Sequence, residues 1–571
     1  MRINQLIIWA LISGNSIAQS NLMRPQFQQP MEIPLSLSGN FMELRSDHFH
    51  SGLDMRTESR EGIPVRAAGS GWVSRIKVSP WGYGHALYID HPNGYTTVYG
   101  HLRNYTGAIA KAVRRAQYKA KSFEVDLTFG PSELPVEQGD IVAHSGNSGG
   151  SSGPHLHFEV RRTSDQHALD PEQYGMEVGD SIAPVFLGLR IDPLDTLARV
   201  QPYPGKARGH VLTGRNGAYT VKGEVTPKAW GTVGLSVNVI DRYNNSSSTC
   251  GIRSLKVSVD DVPVFSVLLD HADFSKQRYA NAYMDYALFK GNDKNYNRCY
   301  KLPNNTLDLY GPEAAQGRIT LIPGKSHQVL VEATDANGNR SVLPFTLVGA
   351  TVEEASRWPG PSVEGRLFLY DQENSLTTPG FWFTLPANAL YTNERIRWSS
   401  RPSTLPYAPI ISLHDRLTPL HVPGQLNIKV DEASARGVEK SLVVVRLDEK
   451  GTPSPVGGTY TDGWISAKVK SFSDYTVMLD TVPPKVTALN LEKNMAGRED
   501  IRFQVTDNLS GIESYSATLD GDWILLEYDP KRKMLTHTFD EHTNVKGPHR
   551  LELVVKDERG NARTLKADYT R

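Results

Sequence analysis

Three short segments occur twice in this chain, in the same order, and that duplication limits the fold more than any other feature of the sequence. Asp180-Ser181-Ile182-Ala183-Pro184 recurs as Asp480-Thr481-Val482-Pro483-Pro484. Val237-Asn238-Val239-Ile240-Asp241, then Gly251-Ile252-Arg253-Ser254, recurs as Phe503-Gln504-Val505-Thr506-Asp507, then Gly511-Ile512-Glu513-Ser514. Val331-Glu332-Ala333-Thr334-Asp335-Ala336-Asn337-Gly338-Asn339 recurs as Val554-Val555-Lys556-Asp557-Glu558-Arg559-Gly560-Asn561. The longer segments alternate apolar and polar residues, the period of a half-buried strand, and run into turn residues. Repetition of such a unit predicts two copies of one β-sandwich module, at 179–350 and 480–571. The Asp-x-x-Gly-Asn stretches read as hairpin turns. A calcium site there would need six or more oxygen ligands, so the turn reading is preferred.

The remaining chain reads the same way. The 48 glycines and 35 prolines among 571 residues keep the strands short. Between the copies, 351–479 opens on Trp358-Pro359-Gly360-Pro361 and carries strand-like runs at 425–430 and 441–446. It shows no cluster of chemistry-bearing residues. At roughly 150 residues per domain the length fits four units, and the expected class is all-β. One helix interrupts the pattern in the N-terminal unit, 19–178. Ile109, Val113, Ala116 and Ala120 share one helical face, with Lys111, Arg114, Arg115, Lys119 and Lys121 opposite, which predicts a basic helix over about 107–122.

Lys+Arg and Asp+Glu are 62 each, a formal net charge of zero, which argues against a globally basic nucleic-acid binder. No long apolar run follows the N-terminus, so no transmembrane anchor is expected. MRINQLIIWALISGNSIAQS begins with a positive residue, continues with a short apolar core and ends in small residues. That is the pattern of a signal peptide over 1–18, and it predicts export to the periplasm or the extracellular space. In an oxidising compartment Cys250 and Cys299, both within 179–350, can pair as a disulfide.

Nine of the 17 histidines fall between residues 19 and 178. In "PHLHFEV" (154–160), strand alternation puts His155, His157 and Glu159 on one face and Leu156, Phe158 and Val160 on the other. In "HFHSGLD" (48–54), His50 and Asp54 lie close enough to bind one metal ion, and Gly52 favours a loop or strand end over a helix. One histidine of the His-x-His pair would complete a three-ligand N/N/O site. That set leaves a fourth position open, the arrangement of catalytic rather than structural zinc. No histidine is followed by glutamate, so the helical His-Glu-x-x-His motif is absent.

"HSGLD", "GYG…LYIDHPNGYTTVYGHL" and "SGNSGGSSGPHLHFEV", in this order, resemble the lysostaphin-like, or LytM-type, zinc metallopeptidases over about residues 31–162. "FMELRSDHFHSGLD" is similar to exported Gram-negative members that carry a C-terminal β tail, and this resemblance implies that the modules at 179–350 and 480–571 are immunoglobulin-like β-sandwiches. The resemblance implies an antiparallel β-fold of the duplicated-hybrid, barrel-sandwich type, one Zn²⁺ per chain, and hydrolysis of peptide crosslinks in peptidoglycan. It implies zinc ligation by His50, Asp54 and His157, with His101 and His155 as catalytic histidines. His48 and Arg45 are candidates for supporting contacts or for binding a substrate carboxylate.

The chain departs from the family pattern at 103–134, an insertion containing the basic helix. The helix either walls the groove against anionic substrate groups or is a solvated basic face. With all five positions filled, an active endopeptidase is expected. The alternatives are a catalytically silent peptidoglycan-binding regulator of other wall hydrolases and an adhesin-like role for the β tail.

Overall fold

The structure, a computed structural model, describes residues 24–203, 209–223, 226–244, 246–292, 295–360 and 362–571. The signal peptide expected at 1–18 lies outside them. No helix among the described residues is long and apolar enough to cross a membrane.

The N-terminal unit is built on strands β1 (Leu37–Gly39), β2 (Leu53–Arg56), β3 (Gly71–Val78), β4 (His85–Asp90), β5 (Tyr95–Leu102), β6 (Val125–Thr128) and β7 (His155–Arg162). They run in the order β1-β2-β7-β5-β4-β3-β6, every neighbouring pair antiparallel. A three-stranded sheet of 64–66, 141–144 and 104–105 accompanies them. The two-residue period of β7 decides where the core lies. Leu156, Phe158 and Val160 are fully buried on its apolar face, and its polar face is left for the site.

Beyond the short strand 104–105, the insertion contributes two elements. Helix α1 (Gly107–Ala120) buries Ile109, Val113 and Gln117 and stops at left-handed Lys121. Strand β6 adds an edge to β3.

The two repeated units have parallel strand orders. In the first, 185–193, 232–240 and 296–298 form one sheet, and 340–349, 326–334, 254–259 and 262–268 run in order within the other. In the second, 485–488, 500–506 and 534–538 are followed by 527–529, opposite a sheet ordered 562–570, 548–557, 512–519 and 522–524. An aspartate trio recurs with them: Asp180, Asp241 and Asp335 in one, Asp480, Asp507 and Asp557 in the other, each with oxygens within 4.8 Å. Asp335 and Asp557 accept amides two and four residues ahead, the hairpin-turn geometry read from the sequence. Residues 374–479 form two five-stranded sheets around a separate core.

The expected disulfide is not formed; Cys250 and Cys299 are free and buried. Cys250 is bridged to Asp241, whereas the Cys299 amide bonds the carbonyl of Leu235. Six residues along one strand span about 20 Å, and a disulfide needs its Cα atoms within about 7 Å.

Candidate metal centre

Pairing register assembles the centre. In β7, His157 lies opposite Asp54 of β2 on one side and Gly100 of β5 on the other. His50 enters from the loop before β2. Gly52 lets that loop lie flat on β7, because a Cβ there would sit 2.3 Å from the Phe158 carbonyl oxygen. His50 Nε2, Asp54 Oδ1 and His157 Nδ1 converge at separations of 2.9, 3.0 and 3.0 Å. All three residues are buried.

The outer atoms of these side chains are committed elsewhere. His50 Nδ1 donates to the Asn40 carbonyl at 2.7 Å. His157 Nε2 donates to Glu159 Oε1 at 2.8 Å. Asp54 Oδ2 accepts from Arg45 at 2.8 Å. The three inward atoms are therefore lone pairs facing one another, and a cation satisfies all of them at once. A four-coordinate zinc with bonds of about 2.0–2.1 Å spaces its ligand atoms roughly 3.3 Å apart, so the donor set fits that ion. The demand for positive charge shows in His157. Burial opposes charging it, but hydrogen bonds to Asp54 and Glu159 outweigh burial and push its pKa up to about 9. Burial likewise opposes ionisation of Asp54, yet its three histidine neighbours hold it well below the usual carboxylate range.

Glu159 is the functional residue that sequence reasoning placed on the right face without giving it a role. It is fully buried. Besides His157 it accepts Ser51 Oγ at 2.6 Å, Tyr83 OH at 2.5 Å and Arg161 Nε at 2.5 Å. Burial opposes its ionisation, but the Arg161 charge and the His157 bond keep it ionised. A carboxylate behind a ligand histidine fixes its tautomer and raises its basicity.

His101 and His155 flank the trio, their rings 4.8 Å apart. His101, next to last in β5, is in a left-handed conformation, φ 58°, a strained backbone for a residue other than glycine. Its Nδ1 donates to the Ser148 carbonyl at 2.8 Å. His155 Nδ1 donates to the Gly153 carbonyl at 2.9 Å and lies 3.2 Å from Ser151 Oγ. Carbonyls only accept, so in both rings Nε2 carries the lone pair; in His155 it lies 3.3 Å from Asp54 Oδ1. Burial, then the neighbouring His157 and His155, pull the His101 pKa down to about 3. The anchoring carbonyls belong to the glycine-rich loop 145–154. There Gly149, at φ +67°, meets the backbone of Gly84 so closely that a Cβ would fall 2.3 Å from the Gly84 amide nitrogen.

The remaining candidates differ. Arg45 is bound to Asp54 and supports a trio member rather than standing free for substrate. His48 is on the rim, bonded to Asp47 at 2.8 Å, and contacts no trio member. The cleft encloses about 950 Å³ and is lined from Ser38 to Gln277. Phe274 and Gln277, from the first sandwich, complete its wall, and Gln277 accepts the Phe49 amide at 2.7 Å. Helix α1 does not line the cleft. Arg114, from its basic face, pairs instead with Asp540 at 2.8 Å.

Residues 48–132 match the family model described as Peptidase family M23, and 365–480 match that of a Zu5-like domain. The DD-carboxypeptidase/endopeptidase Mpg of Neisseria meningitidis serogroup B is 31% identical over 118 residues, 21% of this chain and 21% of the relative. An uncharacterized metalloprotease of Haemophilus influenzae is 31% identical over 110 residues, 19% of this chain and 18% of the relative. The chain thus spans about a fifth of the length of the curated relatives it matches. Among solved structures, the catalytic domain of the prophage-encoded M23 protein EnpA from Enterococcus faecalis is 26% identical with a TM-score of 0.19, covering 27% of this chain and 98% of that one. The catalytic domain of lysostaphin from Staphylococcus simulans is 24% identical with a TM-score of 0.17, covering 23% and 85%.

Proposed function

We propose that this chain, which carries a peptidase family M23 domain at 48–132, is an exported zinc-dependent endopeptidase that hydrolyses peptide crosslinks of peptidoglycan. The observation that carries the reading is the convergence of three lone-pair atoms, from His50, Asp54 and His157, beside two further imidazoles in an open cleft. Zinc held by that trio supplies Lewis acidity toward the scissile carbonyl and brings water near neutral pKa.

The chain's own groups do the rest. His101 and His155 each present an Nε2 lone pair, because the opposite nitrogen is tied to a loop carbonyl. Burial and the neighbouring His157 and His155 keep His101 neutral, so its Nε2 is free to take up the proton released by the attacking water. Once protonated, either ring becomes an Nε2–H donor. It then stabilises the tetrahedral oxyanion or returns the proton to the leaving amine. Glu159, ionised behind His157, keeps that ring oriented and electron-rich. The open cleft suits an extended peptide strand.

The test is muropeptide analysis of purified sacculi digested with the zinc-loaded protein, beside His157→Ala and a chelator control. Conversion of crosslinked dimers to monomers only by the intact, metal-loaded protein supports the reading, and the product masses identify the bond. Stoichiometric zinc binding without cleavage would instead favour a silent wall-binding regulator.

A further inference from the structure

The glycine-rich loop that orients His101 and His155 is itself gripped from the far end of the chain. Lys531 Nζ donates to the carbonyl oxygens of Asn147 and Ser151, the second at 3.0 Å, and lies 3.4 Å from Asn147 Oδ1. Between those two carbonyls, the Ser148 carbonyl receives the His101 Nδ1 proton. The Ser151 hydroxyl oxygen also lies 3.2 Å from His155 Nδ1, and Ser151 donates to the Gly153 carbonyl that accepts the His155 Nδ1 proton. One ammonium thus straddles the turn that sets both imidazoles.

Helix α1 brings the ammonium there. Asp540 Oδ2 accepts from Arg114 at 2.8 Å and from Tyr118 OH at 2.7 Å. The Tyr118 ring packs on Trp523 and His542, with centroids 5.3 and 4.0 Å apart. The insertion that sequence reasoning could not place is therefore a docking platform for 480–571. That module does not cover the site, since no described residue beyond Gln277 lines the cleft.

We propose that Lys531 is a positioning residue of the hydrolytic site and that the last sandwich clamps the glycine-rich loop in its working conformation. The proposal rests on the reading of His101 and His155 as the proton-transfer pair. Gly146, Gly149, Gly150 and Gly153 leave the loop backbone with unusual freedom, and charge-assisted bonds to two of its carbonyls restrict that freedom. Small displacements of proton-transfer groups are costly to rate, by as much as about a hundredfold for 1 Å.

The experiment uses the full zinc-loaded chain as wild type, Lys531→Met, Lys531→Arg and Arg114→Ala. Three quantities are read: steady-state kinetics on a soluble crosslinked muropeptide dimer, zinc content, and amide exchange of the loop. Lys531→Met is expected to lower kcat about tenfold, with KM and zinc content within about twofold of wild type. Lys531→Arg should recover most of that loss. Arg114→Ala, which loosens the docking without touching the loop, should repeat the kcat-selective loss. Exchange at the Gly150 amide, bonded to the Gly82 carbonyl at 2.7 Å, should quicken in Lys531→Met. An unchanged kcat in Lys531→Met overturns the proposal. If wild type cleaves nothing, the endopeptidase reading fails, and loop exchange decides the clamp by itself: faster exchange in Lys531→Met supports it and unchanged exchange overturns it.

Discussion

The two sandwich modules share a strand order and an aspartate trio, yet they join the N-terminal unit in different ways. The first is fused to it. One apolar core runs from Phe27 through Tyr283 to Leu347 and takes in single residues beyond it, Tyr391 of the middle unit and Leu525 of the last module; the Phe49 and Tyr283 rings meet at 5.7 Å. Strand β8 (Ala168–Leu169) pairs with 271–272 of the module, and Asn40 exchanges two hydrogen bonds with the backbone of Gly251, both 2.8 Å. The last module joins the unit more sparingly, through Leu525 and Trp523 at the margin of that core and through side chains that meet α1 and the glycine-rich loop. A duplicated scaffold has thus been put to two uses by its loops: 269–283 in the first copy builds the cleft wall, and 523–543 in the last grips from outside.

The largest effect expected belongs to neither joint. His157→Ala removes a member of the trio and chelation withdraws its ion, and either should reduce crosslink hydrolysis by at least about a thousandfold. The last sandwich should keep its thermal transition, and a shift there would tie the metal to the docked module and break the contrast. Next comes the fused joint. Tyr283→Ala opens a cavity in a fully buried position and should cost about 3–5 kcal/mol. Calorimetry should show the N-terminal unit and the first module melting together, and separate transitions would show that they are not one cooperative body.

At the docked joint the expected cost is smaller. Asp540→Asn weakens the pairing with Arg114 around a carboxylate whose side chain is 4% exposed, worth about 1–3 kcal/mol. Amide exchange should rise in α1 and in 523–543 while the transition of the fused pair stays put.

The smallest effect is a pH response of opposite sign at the two joints. Burial, then the Asp170 charge, pushes the Glu172 carboxyl, which meets Tyr243 of the first module, up to about 8. A raised carboxyl pKa gives stability that is full below its unfolded value, near 4.5, and is lost as pH rises through about 8. Burial also opposes ionisation of Asp540, but hydrogen bonds led by Tyr118 and the Arg114 charge hold it below its ordinary value of 3.8. That stability is present above 3.8 and is lost as pH falls. Exchange followed across pH should therefore loosen the fused joint toward alkali and the docked joint toward acid. Glu172→Gln should flatten the alkaline response, and loosening of both joints in one direction would defeat the contrast.

The sequence made the all-β class legible because short alternating runs and turn residues act locally. It also brought His50, Asp54, His101, His155 and His157 to notice, because His-x-His on a strand declares its own face. Glu159 was on that face in plain view, but its role depends on Ser51, Tyr83 and Arg161, which only strand pairing brings to it. The joints were out of reach for the same reason. Arg114 on a basic helical face looks the same in sequence whether it meets water, substrate or Asp540, 426 residues away. The disulfide expectation failed similarly, since compartment and cysteine count say nothing of where along a strand each thiol falls.

The grip of Lys531 on the glycine-rich loop gives the chain a sense of time. Asn147 and Lys531 are separated by 384 residues. Chains are made from their N-terminus, and domains generally fold as units in that order. The metal trio can therefore assemble before the last module is synthesised, whereas the contact that steadies its partner histidines is among the last to form. A chain cut short by premature termination or proteolysis would retain the trio but lose the grip, so the working conformation of the loop reports that the molecule is whole.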